Sequence, residues 1–107
     1  MNMHEEYKQK LVSAEQAAAL VRSGDWIDYG WCVGTPVVID KALAKRMPEL
    51  SDVKIRGGVL VRKPAIFEIE NPAEHLCWNS WHLGGWERKA VSEGFGFFNP
   101  MRYAELP

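Results

Sequence analysis

The stretch that decides the fold is Ser23–Asp40, SGDWIDYGWCVGTPVVID. Ser23-Gly24-Asp25 stops a preceding helix, and Trp26, Ile27, Tyr29 and Trp31 are the apolar, β-favouring residues of a strand running from Asp25 to Cys32. Gly34 supplies a turn. Pro36, after Thr35, suits the first position of the helix that follows. A strand delivering a Gly-x-Pro turn onto a helix N-terminus places backbone N–H groups at the carboxyl end of a sheet. Open α/β folds bind ligands there, anionic ones in particular.

Outward from this segment the helix and strand signals alternate. On its N-terminal side, His4–Leu11 reads as a frayed helix. Ser13 is an N-cap with Gln16 completing a capping box, and AEQAAALVR continues as a helix with Ala17, Leu20 and Val21 on its apolar face and Gly24 as the closing glycine. On the C-terminal side, Pro36–Met47 is predicted helical, with Val37, Val38, Leu43 and Met47 facing the core and Lys41, Lys45 and Arg46 outside, until Pro48 ends it. Asp52–Arg56 alternates as a partly exposed second strand, ending at Gly57-Gly58 or extended by Val59–Val61. Pro64–Pro72 reads equally as a strand or a short helix. His75–Leu83 is a strand, Gly84-Gly85 breaks it, and Trp86–Glu93 is a helix closed by Gly94. Phe95–Phe98 is the last strand. The class is α/β, a mainly parallel sheet flanked by helices.

Composition excludes several functions. A chain of 107 residues forms one domain at most, 47% hydrophobic and 25% charged as soluble domains are. A net charge of −1 leaves no basic footprint for nucleic acid. No apolar run approaches the roughly 20 residues of a membrane span, and the polar N-terminus carries no signal-peptide core, so the cytoplasm is the expected location. Cys32 and Cys77 are too few for a disulfide framework. Five tryptophans in so short a chain are more surface than a small core needs, and some are expected to face another domain. FGFFNPMRYAELP reads as a strand, a turn and a segment barely begun, the pattern of the opening portion of a longer protein.

SAEQAAALVRSGDWIDYG, GTPVVIDKALAKR and DVKIRGG, followed by NSWHLGGWERKAVSEG and NPMRYAELP, resemble in order and spacing the N-terminal domain of the acetyl-CoA hydrolase/transferase family, the family I CoA-transferases. The similarity runs from about Tyr7 to Pro107 and is strongest to the butyryl-CoA:acetate and 4-hydroxybutyrate CoA-transferases. It implies that residues 1–107 are an N-terminal α/β domain whose catalytic partner domain is absent. CoA would pass between carboxylic acids through a glutamyl-CoA thioester. The family's catalytic glutamate matches nothing in this chain, which is expected to be inactive alone. The implied ligands are an acyl-CoA and a short-chain carboxylate, with CoA thioester as substrate and no permanent cofactor. The implied protein partners are the C-terminal domain and further copies in a homo-oligomer. A hydrolase of the same family and a non-catalytic interaction module are the competing readings.

Gly34, Thr35 and Pro36 are the first candidate site, a turn lining the substrate pocket, with Tyr29 and Trp31 shaping it and at least one of these two expected in the core. A plain strand–helix turn is the bland alternative, and the resemblance favours the pocket. Glu68 and Glu70 share one face of any strand and read as solvated charge. His75, His82 and Cys77 lack zinc-ligand spacing and read as core or interface residues. Cys32 reads as an inert buried thiol. Gly57-Gly58 admits a ligand at a strand end or simply ends the strand.

Overall fold

The computed structural model describes residues 2–105. Four parallel strands, β1 (Trp26–Trp31), β2 (Val53–Gly58), β3 (Leu76–Ser80) and β4 (Gly96–Phe98), lie side by side in chain order. The helices are α1 (Met3–Lys10), α2 (Ala14–Ala19), α3 (Val37–Arg46), α4 (Pro72–His75) and α5 (Gly85–Ser92). The predicted parallel α/β architecture is therefore present, as is the Ser13–Gln16 capping box.

Several boundaries differ from those expected of the sequence. Helix α2 stops at Ala19, because Arg46 on α3 donates to the carbonyls of Ala18 and Val21 and ties off its last turn. Ala18 is the buried face residue and Leu20 is 76% exposed, so the apolar stripe is rotated from Ala17–Leu20. Gly24, at φ +86°, turns the chain into β1 rather than directly closing the helix. Pro36 caps α3 and Val37 begins it. Val38 is 71% exposed, and Asp40, Ala42 and Leu43 take the inner face. Strand β2 is central and alternates as expected, with Val53 and Ile55 fully buried, Lys54 half-buried and Arg56 exposed. Val59, at φ +50°, turns the chain away, so no extension through Val61 forms. Between Pro64 and Pro72 there is only a 3₁₀ turn, Ala65–Phe67, burying Ile66 and Phe67. Strand β3 ends at Ser80, leaving Trp81 and His82 beyond it.

The core lies on one face of the sheet. Tyr29, Val53, Ile55, Leu76 and Trp78 point into a single cluster with Ala18, Leu43, Met47 and Ala90 from the helices. Trp78 is its centre, meeting Tyr29 edge-on at 5.7 Å and Phe67 at 5.1 Å. A Cβ on Gly57 would lie 2.7 Å from the Trp78 ring, so that strand position must be glycine. The alternate residues, Trp26, Asp28, Lys54, Arg56 and Phe97, form the other face. There Trp26 is 58% and Phe97 60% exposed, while Arg56 lies over Trp26 and pairs with Asp28 at 3.7 Å. Parallel sheets normally have both faces covered; this one presents one face to solvent within the described residues.

Candidate functional site

The carboxyl edge of the sheet gathers the predicted site residues. Gly30, at φ +68°, shifts the register of β1, so that Trp31 comes opposite Gly58 of β2. The Trp31 indole lies against Gly58, where a Cβ would touch its ring at 3.4 Å. It stacks on Trp81 at 5.4 Å and 29°, and meets His82 edge-on at 5.4 Å. The two indoles form a half-buried aromatic ledge across the ends of β1, β2 and β3.

Beside the ledge, Cys32–Gly34 form a 3₁₀ turn opened by Cys32 at φ +50°. Thr35 is buried, its Oγ1 donating to the Cys32 carbonyl at 3.2 Å. The Thr35 carbonyl accepts from Val37 N–H and the Pro36 carbonyl from Asp40 N–H, so this turn is stapled directly to the start of α3. Gly34 is exposed, and a Cβ there would meet nothing within 4 Å. Thus Trp31, Gly34, Thr35 and Pro36 do share one edge. Gly34 and the indole face outward, whereas the Thr35 hydroxyl serves its own turn.

Two buried carboxylates at this edge are not evident in the sequence pattern. Asp40 accepts from Tyr29 Oη at 3.1 Å and from the backbone N–H groups of Ala65 (2.6 Å) and Ile66 (3.3 Å). Burial, with the Asp40 charge and hydrogen bond added, pushes the Tyr29 phenol far above its ordinary pKa near 10. Glu87, with 0% exposure, accepts the Leu60 N–H on Oε1 at 2.8 Å, while its Oε2 has no partner. Their helical phase was the available signal. Asp40 lies three residues before Leu43 and seven before Met47; Glu87 lies three before Ala90.

The other candidates are dispersed. His75 Nδ1 bonds the Leu50 carbonyl at 2.8 Å, away from His82. Ser80 Oγ donates to the His82 carbonyl at 2.6 Å and Asn79 turns back to Cys77. Both cysteines are free, and burial pushes the Cys77 thiol up in pKa. Glu68 and Glu70 are exposed, Glu68 facing Lys63 at 3.4 Å. Among the described residues no group of three or more His, Cys, Asp or Glu could hold a metal, and no helix is long and apolar enough to cross a membrane.

Four parallel strands in chain order with flanking helices define an α/β domain, with the glycine turns and the aromatic ledge at the carboxyl edge of its sheet. All 107 residues match the acetyl-CoA hydrolase/transferase N-terminal domain, and the chain belongs to that family. It is 55% identical over 107 residues to the butyryl-CoA:acetate CoA-transferase of Anaerostipes caccae, covering 100% of this chain and 24% of that protein. It is 44% identical over 103 residues to a probable butyrate:acetyl-CoA coenzyme A-transferase of Syntrophomonas wolfei, covering 96% and 23%. The chain thus spans about a quarter of the length of these relatives. The crystal structure of RipA from Yersinia pestis shares the fold, with a TM-score of 0.79 at 21% identity over 96% of this chain and 26% of that one.

Proposed function

We propose that this chain is the N-terminal domain of a short-chain acyl-CoA:carboxylate CoA-transferase that exchanges CoA between butyrate and acetate. The observation that carries this reading is the 55% identity to a butyryl-CoA:acetate CoA-transferase over all 107 residues. The nucleophile is a glutamate outside this chain. Its carboxylate attacks the acyl-CoA carbonyl and expels the CoA thiolate, leaving an acyl-glutamyl anhydride. The thiolate then attacks the glutamyl carbonyl and releases the first carboxylate, giving the glutamyl-CoA thioester. The acceptor carboxylate attacks that thioester and expels the thiolate, which takes the acceptor's acyl group from the new anhydride and frees the glutamate. Glu87 cannot take that part, being fully buried.

In this reading the chain supplies one wall of the pocket. Gly34 leaves the approach to the turn open, Thr35 and Pro36 hold the turn on α3, and the Trp31–Trp81 ledge gives an apolar surface to the substrate. The uncovered face carrying Trp26 and Phe97 packs against the remainder of the enzyme. The enzyme works in the cytoplasm as a homo-oligomer, with CoA thioester as substrate and no resident cofactor.

The test is an assay of the full-length protein with butyryl-CoA, with and without acetate. Acetyl-CoA formation that requires acetate is expected. CoA release independent of acetate would make the protein a thioester hydrolase of the same family.

A further inference from the structure

The segment after β2, Val59–Asn71, contains no strand, yet it follows directly from the carboxyl edge and three of its backbone N–H groups donate to buried side chains of two helices. Val59 is a β-branched residue at φ +50°, a conformation such side chains resist. The next residue, Leu60, donates its N–H to Glu87 at 2.8 Å. Glu87 comes from α5, 27 positions along the chain, and is completely enclosed. A buried carboxylate with one oxygen unpartnered is a costly way to fill a core position that Leu or Met would fill more favourably. Even the neighbouring glycine makes room for it, since a Cβ on Gly84 would fall 2.7 Å from Oε2. The carboxylate bonds the residue that follows the strained one, next to the Gly58–Trp31 contact of the ledge.

We propose that Glu87 is a positioning residue. It clamps the Val59–Leu60 turn so that the end of β2 is shaped to receive the acyl-CoA, without itself touching substrate. The choice of substrate rests on the CoA-transferase reading; the clamp does not.

The test uses the full-length protein with Glu87→Leu, Glu87→Gln and Gly84→Ala. Hydrogen–deuterium exchange of the peptide containing Leu60 reads the clamp, and steady-state kinetics with butyryl-CoA and acetate read its consequence. Glu87→Leu is expected to speed Leu60 exchange about tenfold and to raise KM for butyryl-CoA several-fold, about three- to tenfold, with kcat changed less than about twofold. Glu87→Gln keeps an acceptor for the Leu60 N–H and restores both readouts. Gly84→Ala displaces the carboxylate without removing it and reproduces the Glu87→Leu pattern; if Glu87→Leu does not fold, Gly84→Ala supplies both readouts in its place. Unchanged Leu60 exchange overturns the clamp, and a changed exchange with unchanged KM overturns the positioning role. If the wild-type protein lacks transferase activity, the functional reading fails while exchange still decides the clamp.

Discussion

Replacing Asp40 by alanine tests whether buried acids organise this edge. The carboxylate serves three donors, Tyr29 Oη and the N–H groups of Ala65 and Ile66, and lies in the core face of α3. Asp40→Ala strands all three. At about 1–3 kcal/mol for each donor left without a partner, the sum is roughly 3–9 kcal/mol. Removing the charge also removes its own desolvation cost, which favours the lower part of that range, about 3–5 kcal/mol. Against the roughly 5–15 kcal/mol that holds an ordinary domain folded, this is a large fraction. Tyr29→Phe loses one bond and is expected to cost about 1 kcal/mol. Asp40→Asn falls between. Its carbonyl can keep the Tyr29 and Ile66 donors that share Oδ1, but its amide then opposes the Ala65 N–H. Urea unfolding followed by tryptophan fluorescence and far-UV circular dichroism ranks the three. A cost below about 1 kcal/mol for Asp40→Ala, or Tyr29→Phe costing as much as Asp40→Ala, would refute the hub.

Gly57→Ala puts a methyl 2.7 Å from a Trp78 ring that Tyr29 and Phe67 hold on both sides, and is expected to cost about 1–3 kcal/mol, read as a lowered Tm. Gly34→Val meets open space and is expected to stay within about 0.5 kcal/mol of the parent while cutting turnover of the full-length enzyme; parental turnover would make the turn purely structural. For pH, the raised Tyr29 pKa means the folded state holds the phenolic proton more tightly than the unfolded chain. Its contribution is fully present below the unfolded value near 10 and is lost as pH rises above it, at up to about 1.4 kcal/mol per pH unit. Urea midpoints between pH 9 and 11 are therefore expected to fall more steeply for the parent than for Tyr29→Phe, and parallel curves would refute the assignment.

The order of helices and parallel strands was legible because each strand segment is short, β-branched or aromatic, and bounded by glycine or proline. What escaped depended on tertiary contacts. Leu20 is apolar by type but faces solvent, because Arg46 ends α2 early by taking the Ala18 and Val21 carbonyls. Val59–Val61 has strand propensity, yet Val59 is forced to a positive φ where Leu60 meets Glu87. The position of Trp31 and the 34–36 turn at the end of the first strand was legible from local pattern. Asp40 and Glu87 were not, because acidic residues on a helix are usually solvent-facing and only their phase against Leu43 and Ala90 marks them as internal.

Those two acids bear on the same stretch of chain. Glu87 of α5 takes the Leu60 N–H, and Asp40 of α3 takes those of Ala65 and Ile66. The segment between β2 and α4 has no ladder to satisfy its backbone, so its buried N–H groups require acceptors from elsewhere. Carboxylates from two separate helices meet that need at its start and at its middle. A neutral, all-apolar core would fill the same volume but leave the segment free to choose among conformations. The fixed arrangement also sets what lies beside Gly57-Gly58, because the clamped turn begins where β2 ends. The ledge of Trp31 and Trp81 is thus bordered on one side by the 32–36 turn, stapled to α3, and on the other by a segment pinned to α3 and α5. A perturbation of Glu87 should reach the edge through backbone position rather than through lost charge at the ligand. That distinction separates a KM effect with intact folding from the general loss of stability that an ordinary core substitution produces.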